Sequence, residues 1–418
     1  MLLDLPPELF SAIIPLLTGK DRKQLALCNK QSDVLVAPWL WETLIVRFPR
    51  PSRHNFGSIP RHIKHCRKLI LHLDEHDWQK EMVSPEMLIK LCTPTSLDLN
   101  VSCDGLSFTS CLAAISEMDN LSDLRLNLHL EEIPQFDERC AKKLKSLSLD
   151  GGNATNISNL TRLEILEFDG TLVSEDVLND ISMLPSLKIL RASNINLDDL
   201  NFLSSLTQLE DLNLSENTIY DSMHHLEALT RLRILNLTDT CMTDLELRYL
   251  KSLFNLEQLN LCFNNSITDV GVKHIAHLTE LKCLDLLFTA VGYGDGFEHI
   301  SGLLQLRELC LTDSSITDFA LMCIAPLILL ENLDLSGSLI TDSGLKYMES
   351  LTGLKNLNVE RTSLTSIGLK HVACLTKLQV LDLNDCRVTE AEVEELIRHL
   401  PNTRSVRAHG RFYRDAWS

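Results

Sequence analysis

The stretch Leu330-Glu-Asn-Leu333-Asp-Leu335-Ser-Gly-Ser-Leu-Ile340-Thr-Asp342-Ser-Gly-Leu345-Lys-Tyr-Met348-Glu-Ser-Leu351 holds two hydrophobic periods in one short run. Leu333 and Leu335 alternate with polar residues, the period of a strand that buries one face. Leu345, Met348 and Leu351 then recur every three residues, as on one face of a helix. Asp342 stands where a helix N-cap belongs, as do Asp244, Asp269 and Asp318. Strand, turn and helix follow one another within a single short unit.

The frame L-x-x-L-x-L runs through most of the chain. Its third apolar position falls at Leu73, Leu99, Leu126, Leu149, Phe168, Ala192, Leu214, Leu237, Leu261, Leu286, Leu311, Leu335, Val359, Leu383 and Ala408. Successive positions lie 19–27 residues apart, and 22–25 apart from Phe168 onward. Only an array of like units does this, and about 20–29 residues is the period of leucine-rich repeats. The fold class expected is α/β: a leucine-rich-repeat solenoid of about 14 units over residues 69–408. Helices are wider than strands, so the stacked units should curve into a horseshoe with parallel strands inside and helices outside.

Three residues past the strand, such repeats carry a small polar residue that bonds the backbone of neighbouring turns. Here that place is read as Asn217, Thr240, Thr289, Ser315, Ser338, Thr362 and Cys386. Together with I-T-D-x-G-[LV] at Ile267–Val272 and Ile340–Leu345, this resembles the cysteine-containing subclass and its Thr-bearing relatives.

Composition narrows the partners. The chain is 44% hydrophobic with mean hydropathy +0.03, and no run of 18 apolar residues exists to cross a bilayer. The start, MLLDLPPELF, has no basic region before an apolar run, so no secretory signal and no membrane attachment are expected, and the location expected is cytoplasmic or nuclear. Thirteen cysteines are scattered singly, and Cys310, Cys323, Cys374 and Cys386 occupy positions where neighbouring units carry Leu, Thr or Ser. That pattern reads as small buried residues in a reducing compartment. The net charge of −18 includes +6 in residues 1–68 and +4 in 398–418, so the residues between carry −28. An acidic surface repels phosphate backbones, which argues against nucleic acid and for a basic protein partner.

Residues 1–48 leave the repeat and read as three short helices, the first after Leu5-Pro6-Pro7. Leu5-Pro6-x-Glu8-Leu9, Ile13-Ile14, Leu17, Asp21, Leu25, Leu27-Cys28, Val34 and Pro38-x-Leu40-Trp41 resemble an F-box, without gaps over about 40 residues. Gln31 stands where that family has Trp, and Pro15 interrupts the first helix. F-box and leucine-rich repeats together resemble the substrate receptors of cullin-RING ubiquitin ligases. The resemblance implies that the module binds the small F-box adaptor, with Leu5, Pro6, Leu9, Ile13 and Leu17 as its apolar stripe, while the repeats bind a substrate protein. A module that only caps the first repeat is the other reading. Residues 49–68 form a basic linker, and 409–418 a basic, aromatic tail that either folds onto the concave face or caps the last unit through Phe412 and Trp417.

Chemistry is not expected. The cluster His54, His62, His65, Cys66, His72 and His76 lacks paired C-x-x-C or an H-E-x-x-H helix, so no metal is assigned. Gly292-Tyr-Gly294-Asp-Gly296 follows a repeat turn without G-x-G-x-x-G spacing and reads as a bulged loop, so no cofactor is assigned either. Acidic and hydroxyl residues recur with the repeat, as on solvated faces, and the chain reads as a non-catalytic subunit. The candidate partner-binding residues are Phe263, Leu287, Phe288 and Tyr293: Cys262-Phe263 and Leu287-Phe288 replace the polar pairs seen at Thr312-Asp313 and Ser336-Gly337. The alternative to a ligase receptor is a scaffold or inhibitor with no link to ubiquitin, including a bacterial effector acting in a host cytosol.

Overall fold

The computed structural model describes residues 43–48, 67–73, 89–90, 94–101, 113–115, 117–128, 141–151 and 154–414, the last with breaks at 155–156, 172, 220 and 293. The chain divides into two units, Met1–Leu187 and Lys188–Ser418.

In the first unit, β1 (Thr43–Phe48), β2 (Lys68–Leu73), β3 (Ser96–Val101), β4 (Asp123–Leu128), β5 (Ser146–Asp150) and β6 (Ile165–Asp169) each pair in parallel with the next. Helix α1 (Glu175–Ser182) follows β6. Two expectations are corrected here. The sheet begins earlier than the repeat frame placed it, since β1 lies inside the segment assigned to the helical module. Leu71, not Leu73, is the partner of Leu99, and Leu69 and Leu71 are both buried. Leu69-x-Leu71-x-Leu73 alternates three times, so the sequence offered two equivalent frames. The helices expected over residues 1–41 lie outside the described residues.

The second unit carries ten parallel strands among its described residues: β7 (Ile189–Ser193), β8 (Asp211–Asn213), β9 (Ile234–Asn236), β10 (Gln258–Asn260), β11 (Cys283–Asp285), β12 (Glu308–Cys310), β13 (Asn332–Asp334), β14 (Asn356–Asn358), β15 (Val380–Asp382) and β16 (Ser405–Ala408). Leu235, Leu259, Leu284, Leu309, Leu333, Leu357 and Leu381 stand in register and are buried. At about 1.5–3 kcal/mol for each Leu removed from water, this row and the one two residues on hold the strands to the layer behind them. After His409 and Gly410, both with positive φ, the chain reverses in a tight hairpin and β17 (Arg411–Arg414) pairs antiparallel with β16. The tail therefore caps the last unit through its main chain. Phe412 stays exposed under the Arg407 guanidinium, 4.8 Å from its ring centre, and Trp417 lies outside the described residues.

Behind the strands run short helices. Several are 3₁₀ turns, at Asn201–Ser205, Met223–Ala228, Glu246–Ser252, Asp295–Gly302 and Lys346–Ser350. The others are α-helices, α2 (Asp269–Ile275), α3 (Asp318–Ile324), α4 (Asp342–Leu345), α5 (Ser366–Val372) and α6 (Glu390–His399). The step of three from Leu345 to Met348 to Leu351 is thus the eclipsed period of a 3₁₀ turn, which a 3.6-residue helix only approximates.

The reading of Asp as N-cap is also corrected. The caps are Thr268, Thr317 and Thr341, with Asp269, Asp318 and Asp342 at the first helical position. Each carboxylate instead bonds the next unit. Asp244 accepts from the Thr268 N–H at 2.7 Å and its hydroxyl at 2.6 Å. Asp318 does the same for Thr341, at 2.7 Å to each group. Asp342 accepts from Thr365 and from the Gly368 N–H at 3.0 Å. A Cβ added at Gly271, Gly344 or Gly368 would overlap the preceding unit's carboxylate, which is why T-[DS]-x-G carries its glycine. The loop Gly292–Gly296 is a variant of the same device: Asp269 accepts from the Gly292 N–H at 2.7 Å and from that of Gly294.

Deeper in the turns, Asn217 and Asn264 are buried and fully bonded. The Asn264 amide donates to Leu237 O, Leu261 O and Cys262 O, while its oxygen accepts from the Thr240 and Met242 N–H groups. Thr240, Thr289 and Thr362 hold the place with a hydroxyl bond to the carbonyl just past their own strand. In the 311 unit the residue is Ser314, bonded to Leu286 O at 2.9 Å, and not its neighbour Ser315.

Gly344→Ala should destabilise the second unit by about 1–3 kcal/mol, since the methyl meets the Asp318 carboxylate and a Leu321 methyl group. In an Asp318→Ala background the penalty should shrink. Urea melts of both singles and the double check this, and strict additivity would remove the proposed contact.

Candidate protein-binding face

Side chains along a strand point alternately to opposite faces, so the residues between the buried leucines form rows on the open face of the sheet. Asn213, Asn236, Asn260, Asp285, Asp334, Asn358 and Asp382 make one such row. Each side-chain oxygen accepts the main-chain N–H two residues on, at 2.9–3.1 Å. That local bond closes an Asx turn and ends the strand after three residues. The polar row is therefore structural.

The next row is the turn itself. Glu216, Asp239, Phe263, Phe288, Asp313, Gly337, Arg361 and Asp385 occupy it, with φ between +50° and +69°. Left-handed backbone costs an ordinary side chain about 1–2 kcal/mol, least for Gly, Asn and Asp. A bulky aromatic is a poor choice there, yet two consecutive units use one. Phe263 and Phe288 are 51% and 45% exposed, with ring centres 5.2 Å apart and ring planes 27° apart. Stacking contributes about 0.5–1.5 kcal/mol, less than the backbone strain of two such residues. Stacking by itself therefore does not offset the backbone strain at these two positions.

Leu287, half-buried, lies between them in sequence and donates its N–H to Asp285. Tyr293 falls outside the described residues, as do Leu5, Pro6, Leu9, Ile13 and Leu17. The structure thus brings together Phe263 and Phe288 of the sequence-derived set.

Beside the pair, over β11 to β16, the open face forms a groove of about 440 Å³ whose lining includes Cys283, Asp285, Glu308, Cys310, Asp334 and Asp382. Burial pushes the Cys283 thiol up to about 11, helped by the Glu308 and Asp285 carboxylates. Burial likewise raises Cys310 to about 11. At neutral pH both are protonated thiols and weak nucleophiles, so the groove supplies hydrogen-bonding and charge but no thiolate chemistry. Cys323 and Cys386 are buried as expected. Cys374 is exposed and Cys310 only half-buried, because the positions they occupy open onto the two outer faces.

Three features escaped the sequence reading. Asn264 belongs to the buried set and was passed over. Arg361 crosses the turn row to Asp313, Nη2 to Oδ2 3.1 Å, passing over Gly337, where a side chain would collide with the Asp313 carboxylate. On the helical side, Phe319, Met322, Ile328 and Leu329 are exposed. Their signal was available: Phe319–Leu330 holds no charged residue, where Val270–Leu281 carries Lys273, His274 and Glu280.

No helix among the described residues is long and apolar enough to cross a membrane. Compared with solved structures, the chain is similar to a leucine-rich-repeat protein of Leptospira interrogans, with a TM-score of 0.58 and 20% identity over 83% of this chain and 91% of that one. It is also similar to an internalin, InlF, of Listeria monocytogenes, with a TM-score of 0.54 and 20% identity over 71% of this chain and 88% of that one. No protein-family model and no curated protein match the sequence. The protein has the leucine-rich-repeat fold.

Replacing both rings by Asn, which tolerates left-handed backbone, should leave stability within about 1 kcal/mol of wild type, the relieved strain offsetting the lost stacking and half-burial. A urea midpoint that falls further than that in Phe263→Asn/Phe288→Asn would show that the rings stabilise the free fold.

Proposed function

We propose that this protein is a non-catalytic recognition subunit whose repeats bind a partner protein at the face carrying Phe263, Leu287 and Phe288, with Tyr293 as a further contact residue. The observation that carries the reading is the exposed, stacked Phe pair held in a backbone conformation that disfavours it. Exposed aromatic side chains on a strained backbone gain when a partner covers them, and such anchors supply much of the binding energy at interfaces. The fold supports this use, since a row of like units presents an extended surface. Selection of a displayed peptide library against the full chain should enrich binders that lose at least about tenfold in affinity toward Phe263→Ala/Phe288→Ala. If every enriched binder is indifferent to that double variant, the pair is not the binding surface.

A second reading adds the route by which a bound partner would be used. The residues from Leu5 to Trp41 support an F-box, and the protein would then be the substrate receptor of a cullin-RING ubiquitin ligase, working in the cytoplasm or nucleus. A scaffold or inhibitor with no link to ubiquitin, including a bacterial effector, uses the same repeat surface without the adaptor. The stripe Leu5, Pro6, Leu9, Ile13 and Leu17 would meet the adaptor, each buried Leu contributing about 1.5–3 kcal/mol. Leu9→Asp/Ile13→Asp should abolish co-purification with the adaptor while circular dichroism of the repeats is unchanged. A wild-type chain that does not retain adaptor at about micromolar concentration leaves the scaffold reading standing.

A further inference from the structure

The row that holds the Phe pair also carries charge, and the charges on its two sides are in different states. On the C-terminal side Asp313 is already occupied: the Arg361 guanidinium lies across Gly337 and bonds it at 3.1 Å. On the N-terminal side stand Asp239 and Glu216, one and two units from Phe263 and both exposed. Neither carboxylate has a hydrogen-bonding or ionic partner among the described residues. The units are in register, with Asp239 N–H donating to Cys262 O and Phe263 N–H to Leu287 O, so one strand spacing of about 4.8 Å separates successive members of the row.

The chain thus displays on one side what it leaves open on the other. A guanidinium laid along this row finds a carboxylate at Asp313. The same group approaching from outside would find Asp239, with the Phe263 and Phe288 ring faces beside it, and cations over aromatic faces gain further attraction. The surroundings carry the same sign: Asp285, Glu308, Asp334 and Asp382 line the adjoining groove, and residues 69–397 carry a net −28. Arg407, the cation at the far end of that groove, faces Asp382 at 3.6 Å.

We infer that the partner of this face is an extended basic segment of another protein, with an arginine or lysine on Asp239 and its aliphatic stem or an adjacent apolar residue against the Phe263–Phe288 stack. The inference rests on the reading that the Phe pair is a binding surface. Arginine suits the site better than lysine, because its planar head can both stack on a ring and fork onto a carboxylate. An acidic or phosphorylated segment would be repelled.

The test uses binders from a displayed library of random peptides, selected on the full wild-type chain and then measured as synthetic peptides. Those that depend on Phe263 and Phe288 should be rich in Arg and Lys. They should lose about tenfold in affinity toward Asp239→Asn and bind Glu280→Gln, a charge removed on the helical side, as they bind wild type. Asn accepts left-handed backbone as Asp does, so Asp239→Asn should keep its fold, which thermal melting checks. Binders that need the Phe pair but carry no excess positive charge, or that lose equally with Asp239→Asn and Glu280→Gln, overturn the basic-segment assignment and leave the binding surface intact. An absence of any binder dependent on the Phe pair overturns both.

Discussion

From β8 to β15 no repeat satisfies its own backbone. A three-residue strand followed at once by a left-handed turn leaves main-chain N–H and C=O groups pointing along the stack, where no water reaches them. The next unit supplies what is missing. Asn264 reaches back to Leu237 O and receives the N–H groups of Thr240 and Met242, while Asp244, Asp318 and Asp342 take up the N–H and hydroxyl of the following Thr. Leaving one such group buried and unpaired costs about 1–3 kcal/mol, so a break in the array is penalised on both sides of the break. The hydrophobic rows make stacking favourable; the polar contacts make one register of stacking acceptable.

Much of this was written plainly in the sequence. Alternating leucines over a 22–25 residue period admit one arrangement once one face must be buried, and from Phe168 onward every strand falls in the expected frame. Where the pattern is degenerate the reading slipped, as at Leu69-x-Leu71-x-Leu73. Adjacent residues of similar chemistry caused the other slips: Thr and Asp both cap helices, and Ser314 and Ser315 are the same residue. The partner that decides between them sits a whole unit away. The left-handed turn row was the least legible feature, because Glu, Asp, Phe, Gly and Arg share a backbone conformation but no side-chain property.

Phe263 and Phe288 were noticed for being apolar among polar neighbours. The structure adds a reason that no comparison of side chains could provide, since the position itself disfavours aromatics. Two opposite residues in the same row, Asp313 and Arg361, neutralise one another across the gap left by Gly337. The row therefore combines a strained apolar pair, a satisfied ion pair and two unsatisfied carboxylates within a few strand widths. None of these is required by the stacking contacts beneath, which are the same in units that carry Asp or Gly at this place.

The hairpin at His409-Gly410 bears on how such a protein can lengthen. A parallel strand leaves its edge ready to accept another copy of the same unit, and an array ending there could grow by adding units at its end. Here β17 runs against β16, and a unit appended after it would meet a strand of the wrong direction. A repeat placed upstream of Ser405 would instead keep a parallel strand on either side.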